Sequence, residues 1–260
     1  MTTILAAIDD TQAARSVLSH TCAIKRALRF EARALHVGEP SDACTAFAGE
    51  LDVAITFRPG EPAEGIIAAA GDPEVAMVVL ALHGLPGRHV PGHTAIAVAT
   101  QLTKPLVVVP PETQARTAPR RILFPLDGTE GVSRGVRPLI SSCVAAGLEV
   151  VALHVFEPST VPRFLDGSED AAVWRDEFLA RHCAEMGLRL ETRTGPTIEA
   201  LLDLAVQEDV DAIALGWRQD LSPERAQVVR HALTSAGRPV VLIPLPRQGA
   251  SPDRRANQQP

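Results

Sequence analysis

The sequence predicts an α/β protein of two tandem domains, each a parallel sheet flanked by helices. Three observations carry this. The chain is written twice: ILAAIDD at 4–10 returns as ILFPLDG at 122–128, and ALHVGEP at 34–40 as ALHVFEP at 152–158, both with a shift of 118. RPGEPAEGIIAAA at 58–70 then answers to RTGPTIEALLDLA at 193–205, and KPLVVVP at 104–110 to RPVVLIP at 238–244, with shifts of 135 and 134. The jump between shifts places an insertion of about 17 residues in the second copy, around TVPRFLDGSEDAAVWRD. Within each copy, short Val/Ile/Leu runs alternate with segments of helical period. The apolar runs are nearly continuous, as in strands covered on both faces by right-handed crossovers.

The elements of the first copy follow in order. ILAAI is a strand that leads to Asp9. A helix comes next, with Ala14, Val17, Leu18, Thr21, Ile24 and Leu28 at helical spacing and Asp10 or Thr11 as its cap. ARALHV is the second strand and DVAITF the third. PAEGIIAAA is a helix, AMVVLAL the fourth strand, TAIAVATQL a helix and PLVVVP the fifth strand. The proline-rich PPETQARTAP marks the junction, so the reading gives domains at 1–112 and 120–247 with a linker at 113–119. The tail, 248–260, has almost nothing to bury and reads as disordered.

Composition narrows the function. A net charge of -6 argues against a nucleic-acid partner, and a chain with seven Phe, two Trp and no Tyr lacks stacking platforms for single strands. No apolar run approaches the length of a membrane span, and no leader-like segment opens the chain, so a cytoplasmic protein is expected. Cys22, Cys44, Cys143 and Cys183 are scattered with no C-x-x-C pair, which suits reduced thiols.

In an open parallel sheet, ligands bind beyond the carboxyl ends of the strands. Asp9, Val37 and the loop HGLPGRHVPGHT converge there in the first copy. Part of that loop, GRHVPGHT, imitates a P-loop with His93 in place of the lysine. A true P-loop follows a first strand and depends on that lysine, so the P-loop reading is rejected. The chemistry still suits phosphate. Gly84, Gly87 and Gly92 permit unusual backbone angles and close approach, and Thr94 stands at a helix start whose unpaired N–H groups favour anions.

With AAID and FPLD at the first strands, ALHV twice, and G-x-x-G followed by a further glycine and threonine, the chain resembles a tandem universal stress protein. The resemblance covers nearly all of residues 1 to 247. It implies Rossmann-like domains of the adenine-nucleotide-alpha-hydrolase type, each with a five-stranded parallel sheet. It also implies dimerisation through the last strand, which PLVVVP and PVVLIP satisfy internally as a pseudo-dimer; a further homodimer stays open. By the same resemblance, ATP or another adenine nucleotide, with Mg2+ alongside it, is bound in the first domain. Asp9 and Val37 lie at the adenosine, and Gly84, Gly87, Gly92 and Thr94 at ribose and phosphates. Ala7 and His93 complete the nucleotide-binding set, and His89 and Arg88 are further phosphate donors. The stretch between Gly87 and Gly92 is shorter than in the family's ATP-binding pattern, so ATP, ADP and AMP all remain open.

The second copy reads as mainly structural. In GWRQDLSPERAQVV only Gly216 stays near the strand end, Trp217 crowds the space, and Ser222, Pro223 and Glu224 start a helix with a carboxylate where an anion would sit; Arg218 and Arg225 offset it in part. Asp9 and Asp127 are also candidate helix caps. Val37 and Val155 suit the core equally well, and His36 and His154 read as packed in the sheet rather than catalytic. His83, His89 and His93 lack a carboxylate or cysteine to finish a metal site. The insert reads as an amphipathic helix with Ala172, Trp174, Phe178, Leu179 and Cys183 on one face, covering its own sheet or serving as a lid or partner-binding helix. The expected function is a non-enzymatic, stress-associated nucleotide-binding protein, with slow ATP hydrolysis left open because no general base stands out. The alternative is a scaffold that binds no nucleotide.

Overall fold

The computed structural model describes residues 2–82, 92–111, 113–156, 169–183, 188–220, 222 and 226–246. In the first half, β1 (Thr3–Ala7), α1 (Ala13–Leu28), β2 (Glu31–Val37), α2 (Asp42–Glu50), β3 (Ala54–Arg58), α3 (Pro62–Ala70), β4 (Val75–Ala81), α4 (His93–Gln101) and β5 (Leu106–Val109) follow one another. The second half repeats the order as β6 (Arg121–Pro125), α5 (Glu130–Ala145), β7 (Glu149–Phe156), α6 (Glu169–His182), β8 (Arg189–Thr194), α7 (Thr197–Gln207), β9 (Ala212–Trp217), α8 (Gln227–Ser235) and β10 (Val240–Pro244).

The ten strands form one sheet in the order β3-β2-β1-β4-β5-β10-β9-β6-β7-β8. Every pair is parallel except the central one, where β5 and β10 run antiparallel with Val107 opposite Val241. The two five-stranded parallel sheets of the sequence reading are therefore present, fused through PLVVVP and PVVLIP. Side chains alternate across the strands as the pleat requires. Ile4, Ala6 and Ile8 join a core under α1 and α5, whereas Leu5 and Ala7 join another under α3, α4, α7 and α8. Both cores run through both halves.

Three local readings need correction. The helix α2 was missed; Ser41 caps it by accepting from the Cys44 amide at 3.3 Å. It holds the place between strands that α6 holds in the second half. Neither Asp10 nor Thr11 caps α1, whose N-cap is Gln12 with no side-chain bond. On α6, Ala171 rather than Ala172 is buried, in phase with Phe178 and Cys183. The helix packs on its own half against α5 and β7.

The junction is held from both sides. Ser16 Oγ donates to the Pro111 carbonyl at 2.7 Å, and Ser19 Oγ accepts from the Ala115 amide at 3.1 Å. Farther along, Asp211 Oδ2 accepts the Arg120 and Arg121 amides at 2.6 and 2.9 Å, while Arg116 pairs with Asp209. Exposed pairs of the Arg116 kind add little stability, so they locate the linker more than they strengthen it. Among the described residues, no helix is long and apolar enough to cross a membrane.

Trp217 does not crowd the second-half mouth. Its side chain, 3 % exposed, turns onto the first half, where Nε1 donates to the Ala99 carbonyl of α4 at 3.3 Å. Gln219 Nε2 donates to the Leu102 carbonyl at 2.7 Å. The orphan carbonyls at the end of α4 are thus satisfied in part by the other half. Trp217→Ala is expected to cost about 3–5 kcal/mol and Trp217→Phe about 1 kcal/mol, read from urea unfolding. His20, 8 % exposed on α1, yields a second expectation. Burial pushes its ring below the usual range, opposed by its bond to the Ser16 carbonyl. The folded chain therefore refuses a proton that the unfolded chain takes up below about pH 6.5. Stability should be full above that value and fall as pH drops through the folded value, with a shallower fall in His20→Gln, measured as unfolding midpoints across pH.

Candidate functional site

The site begins where β1 stops. The Ile8 amide still donates to the Leu35 carbonyl at 2.9 Å, and the chain then turns at Asp9. Asp9 Oδ1 accepts the Thr11 amide at 3.1 Å and the Thr11 hydroxyl at 2.7 Å. The second half copies this turn, with Asp127 Oδ1 accepting the Thr129 amide and hydroxyl at 2.8 Å each. Neither aspartate caps the following helix, contrary to the sequence reading. Each closes a turn two residues on, and in the second half Thr129 is the cap of α5.

His36 and His154 brace these turns. Their Nδ1–H groups donate to the carbonyls of Ile8 at 3.1 Å and Leu126 at 2.8 Å. The sequence reading placed both within the sheet, and its repeat already held the pairing, since both partners recur at one spacing. Beside His36, Val37 lies half-buried under α3. A Cβ at Gly65 would stand 2.8 Å from both Val37 methyl carbons, so only glycine lets α3 approach this closely. Gly38 follows in the left-handed region at φ 148°, and its amide donates to the Arg58 carbonyl at 2.8 Å. The sequence reading missed both glycines, although each flanks the expected site.

These elements enclose a cavity of about 310 Å³ at the carboxyl ends of β1, β2 and β4. Ala7, Asp9, Val37, Gly92, His93 and Thr94 all line it, with Pro62, Ile66 and Leu80 as its apolar wall. Gly84 and Gly87 lie outside the described residues, as do His83, Arg88 and His89. Gly92 is the N-cap of α4 at φ -66° and ψ 159°, an ordinary extended backbone, so close approach rather than unusual angles suits it. Among the described residues, no side chain caps α4, and the first residues of the helix line the cavity. His93 is exposed there and Thr94 half-buried.

The second half differs at the same level. Phe156 stands where the first half has Gly38, and its ring centroid lies 4.7 Å from that of His154. Trp174 and Phe178 of α6 close around the same imidazole, with centroids at 5.6 and 4.8 Å. Helix α8 starts at Gln227, later than Ser222 suggested. Pro223, Glu224 and Arg225 lie outside the described residues. Sequence reasoning assembled no nucleophile–base pair, yet Ser133 Oγ sits 3.0 Å from His182 Nδ1. The hydroxyl is buried and donates to the Thr129 carbonyl at 2.9 Å, so it accepts from the imidazole and serves packing rather than attack. The four cysteines are buried and free, and burial pushes the thiols of Cys143 and Cys183 up to about 12 and about 11. Among the described residues, no group of three His, Cys, Asp or Glu side chains could hold a metal.

Residues 119–244 match the model of the universal stress protein family. Over nearly its whole length the chain is similar in structure to a universal stress protein from Archaeoglobus fulgidus, with a TM-score of 0.66 and 15 % identity over 95 % of this chain and 97 % of that one. A functionally unknown protein from Pseudomonas aeruginosa gives a TM-score of 0.70 and 15 % identity over 94 % and 92 %. At such identity the likeness is one of fold. No curated protein sequence matches the chain.

The brace of the site can be tested. His36→Leu leaves the Ile8 carbonyl without its partner and is expected to cost about 1–3 kcal/mol in chemical unfolding. His36→Asn, which can still donate, is expected to recover part of that loss.

Proposed function

We propose that the first half binds an adenine nucleotide, a reading supported by the match of residues 119–244 to the universal stress protein family model and by the likeness of the whole chain in fold to a universal stress protein. The observation that carries this reading is one cavity lined by Ala7, Asp9, Val37, Gly92, His93 and Thr94, beside the first turn of α4, which no side chain among the described residues caps. The apolar wall of Val37, Pro62 and Ile66 suits the flat base, and the Asp9 turn lies at the ribose end. The amides and hydroxyl at Gly92–Thr94 suit phosphate oxygens. At about 310 Å³ the cavity falls at the small end of ligand sites, enough for a nucleoside with part of its phosphate chain inside. Mg2+ bound with a di- or triphosphate is held on the phosphates themselves.

The family's sequence match falls on the second half, while the cavity is in the first. The internal repeat carries the organisation from one to the other, and the aromatic cluster around His154 favours a structural role for the second. The proposed role is regulatory binding rather than turnover. Phosphate at the first turn of α4 acts on a helix whose far end is held by Trp217 and Gln219, so occupancy is felt across the seam.

The protein purified under native conditions and then precipitated should release adenine nucleotide detectable by mass spectrometry. ATP, ADP or AMP at a hundredfold excess over its dissociation constant should add about 2.7 kcal/mol of stability. Thr94→Val is expected to weaken binding roughly tenfold, because a hydrogen bond to a charged oxygen is lost. No released nucleotide, together with an unchanged melting temperature for all three, would sink the proposal and leave the scaffold reading.

A further inference from the structure

A second cavity, of about 420 Å³, lies over the seam between the halves. It is on the opposite face of the sheet from the nucleotide cavity, between α1 and α5. Its floor is Met77, Val107 and Val241, its walls include Ile24, Leu28 and Leu139, and linker residues 113–116 roof it. The tandem arrangement creates this space, because α1 and α5 each stand over their own half and the linker must bridge them. Nothing in the proposed nucleotide reading uses it.

The lining is mostly apolar, with Thr113, Gln114 and charged residues beside it, and one imidazole stands among the aliphatic side chains. His20 lines the cavity and is 8 % exposed. Its Nδ1–H donates to the Ser16 carbonyl at 2.8 Å, so the proton is fixed on that nitrogen. Nε2 then carries a lone pair, with no protein partner among the described residues. Burial favours the neutral ring, which keeps Nε2 an acceptor. Nε2 reaches the open cavity beside Ile24, Met77 and Leu139, where a ligand hydroxyl can take the place of water. A hydroxyl on an apolar body meets both requirements.

The mouth excludes charge as a recognition element. Arg116 is paired with Asp209 and Asp211, Arg121 with Glu149 and Glu208, and Arg238 with Asp209. Each guanidinium has its carboxylate, so no net attraction for an anionic head is on offer. We propose that the seam cavity binds a small, uncharged, largely apolar molecule whose hydroxyl donates to His20 Nε2. Such a ligand touches both halves and the linker at once, and it stiffens the junction.

Titration of the full chain with 2-naphthol and with 2-methoxynaphthalene, followed by naphthyl fluorescence, tests this. The two probes share an apolar body, and only the first can donate. One equivalent of 2-naphthol should bind, roughly five- to tenfold tighter than the methyl ether. His20→Leu should bring the two affinities together while the ether still binds. Ala27→Phe, which fills the cavity from a half-buried wall position, should abolish both, and saturating ATP should change neither. Equal affinities in the unmodified chain, binding that survives Ala27→Phe, or no binding of either probe would overturn the proposal. Should His20→Leu fail to fold, the probe pair with Ala27→Phe still decides it. Loss of nucleotide binding alone would leave the seam result standing.

Discussion

The pairing of β5 with β10 is the constraint on which the rest depends. Each half ends in a short, almost wholly buried strand whose outer edge would otherwise carry unpaired amides and carbonyls. Running Val240–Leu242 antiparallel to Leu106–Val108 satisfies both edges and turns two copies into one sheet. That pairing fixes an approximate twofold axis through the seam. The axis puts α4 and α8 side by side on one face and leaves α1 and α5 apart on the other. The strand-end cavity, the Trp217 anchor and the cavity over the seam all take their positions from this geometry.

Helix α4 shows how the arrangement divides labour. A helix leaves unpaired amides at its start and unpaired carbonyls at its end. In α4 the carbonyl end is closed by Trp217 and Gln219 from the other half, while no described side chain closes the amide end. Gln219 accepts a left-handed backbone, at φ 60°, in making its bond. The asymmetry sets the start of the helix, where an anion is favoured, at the strand-end cavity, and its far end against protein. The second half has filled the region around His154 with Phe156, Trp174 and Phe178 instead, so its surface there is committed to packing.

Much of this was legible in the sequence because repetition made it redundant. ALHV occurring twice located both second strands, and PLVVVP with PVVLIP located the seam. The cavity residues Asp9, Val37 and Thr94 followed from strand ends and one helix start. The failures share a cause: they concern direction, which a linear pattern does not encode. Trp217 sits at a strand end in either reading, but only the twofold arrangement shows that α4 of the other half is within its reach. Asp9 and Asp127 have the residue type of a cap, yet turn geometry spends their oxygens on Thr11 and Thr129. Helix α2 is short and rich in small residues, so its period is faint. Its counterpart α6 at the same point of the repeat was the available signal. On α6 a one-residue phase error exchanged Ala172 for Ala171.

The outer strands carry one last consequence. Among the described residues, a sheet joined at its centre still has two outer strands, β3 and β8, of the kind that can recruit another chain. Along β8, Arg189, Glu191 and Arg193 form mutual ion pairs, and the first of them also grips Glu149 and Glu208. A newcomer strand would have to disrupt this lattice of opposite charges before it gained a ladder bond. Joining the two copies in one chain secures what loose association of single copies cannot guarantee. Partner choice is written into one polypeptide, and growth beyond two units is discouraged at that rim by electrostatics.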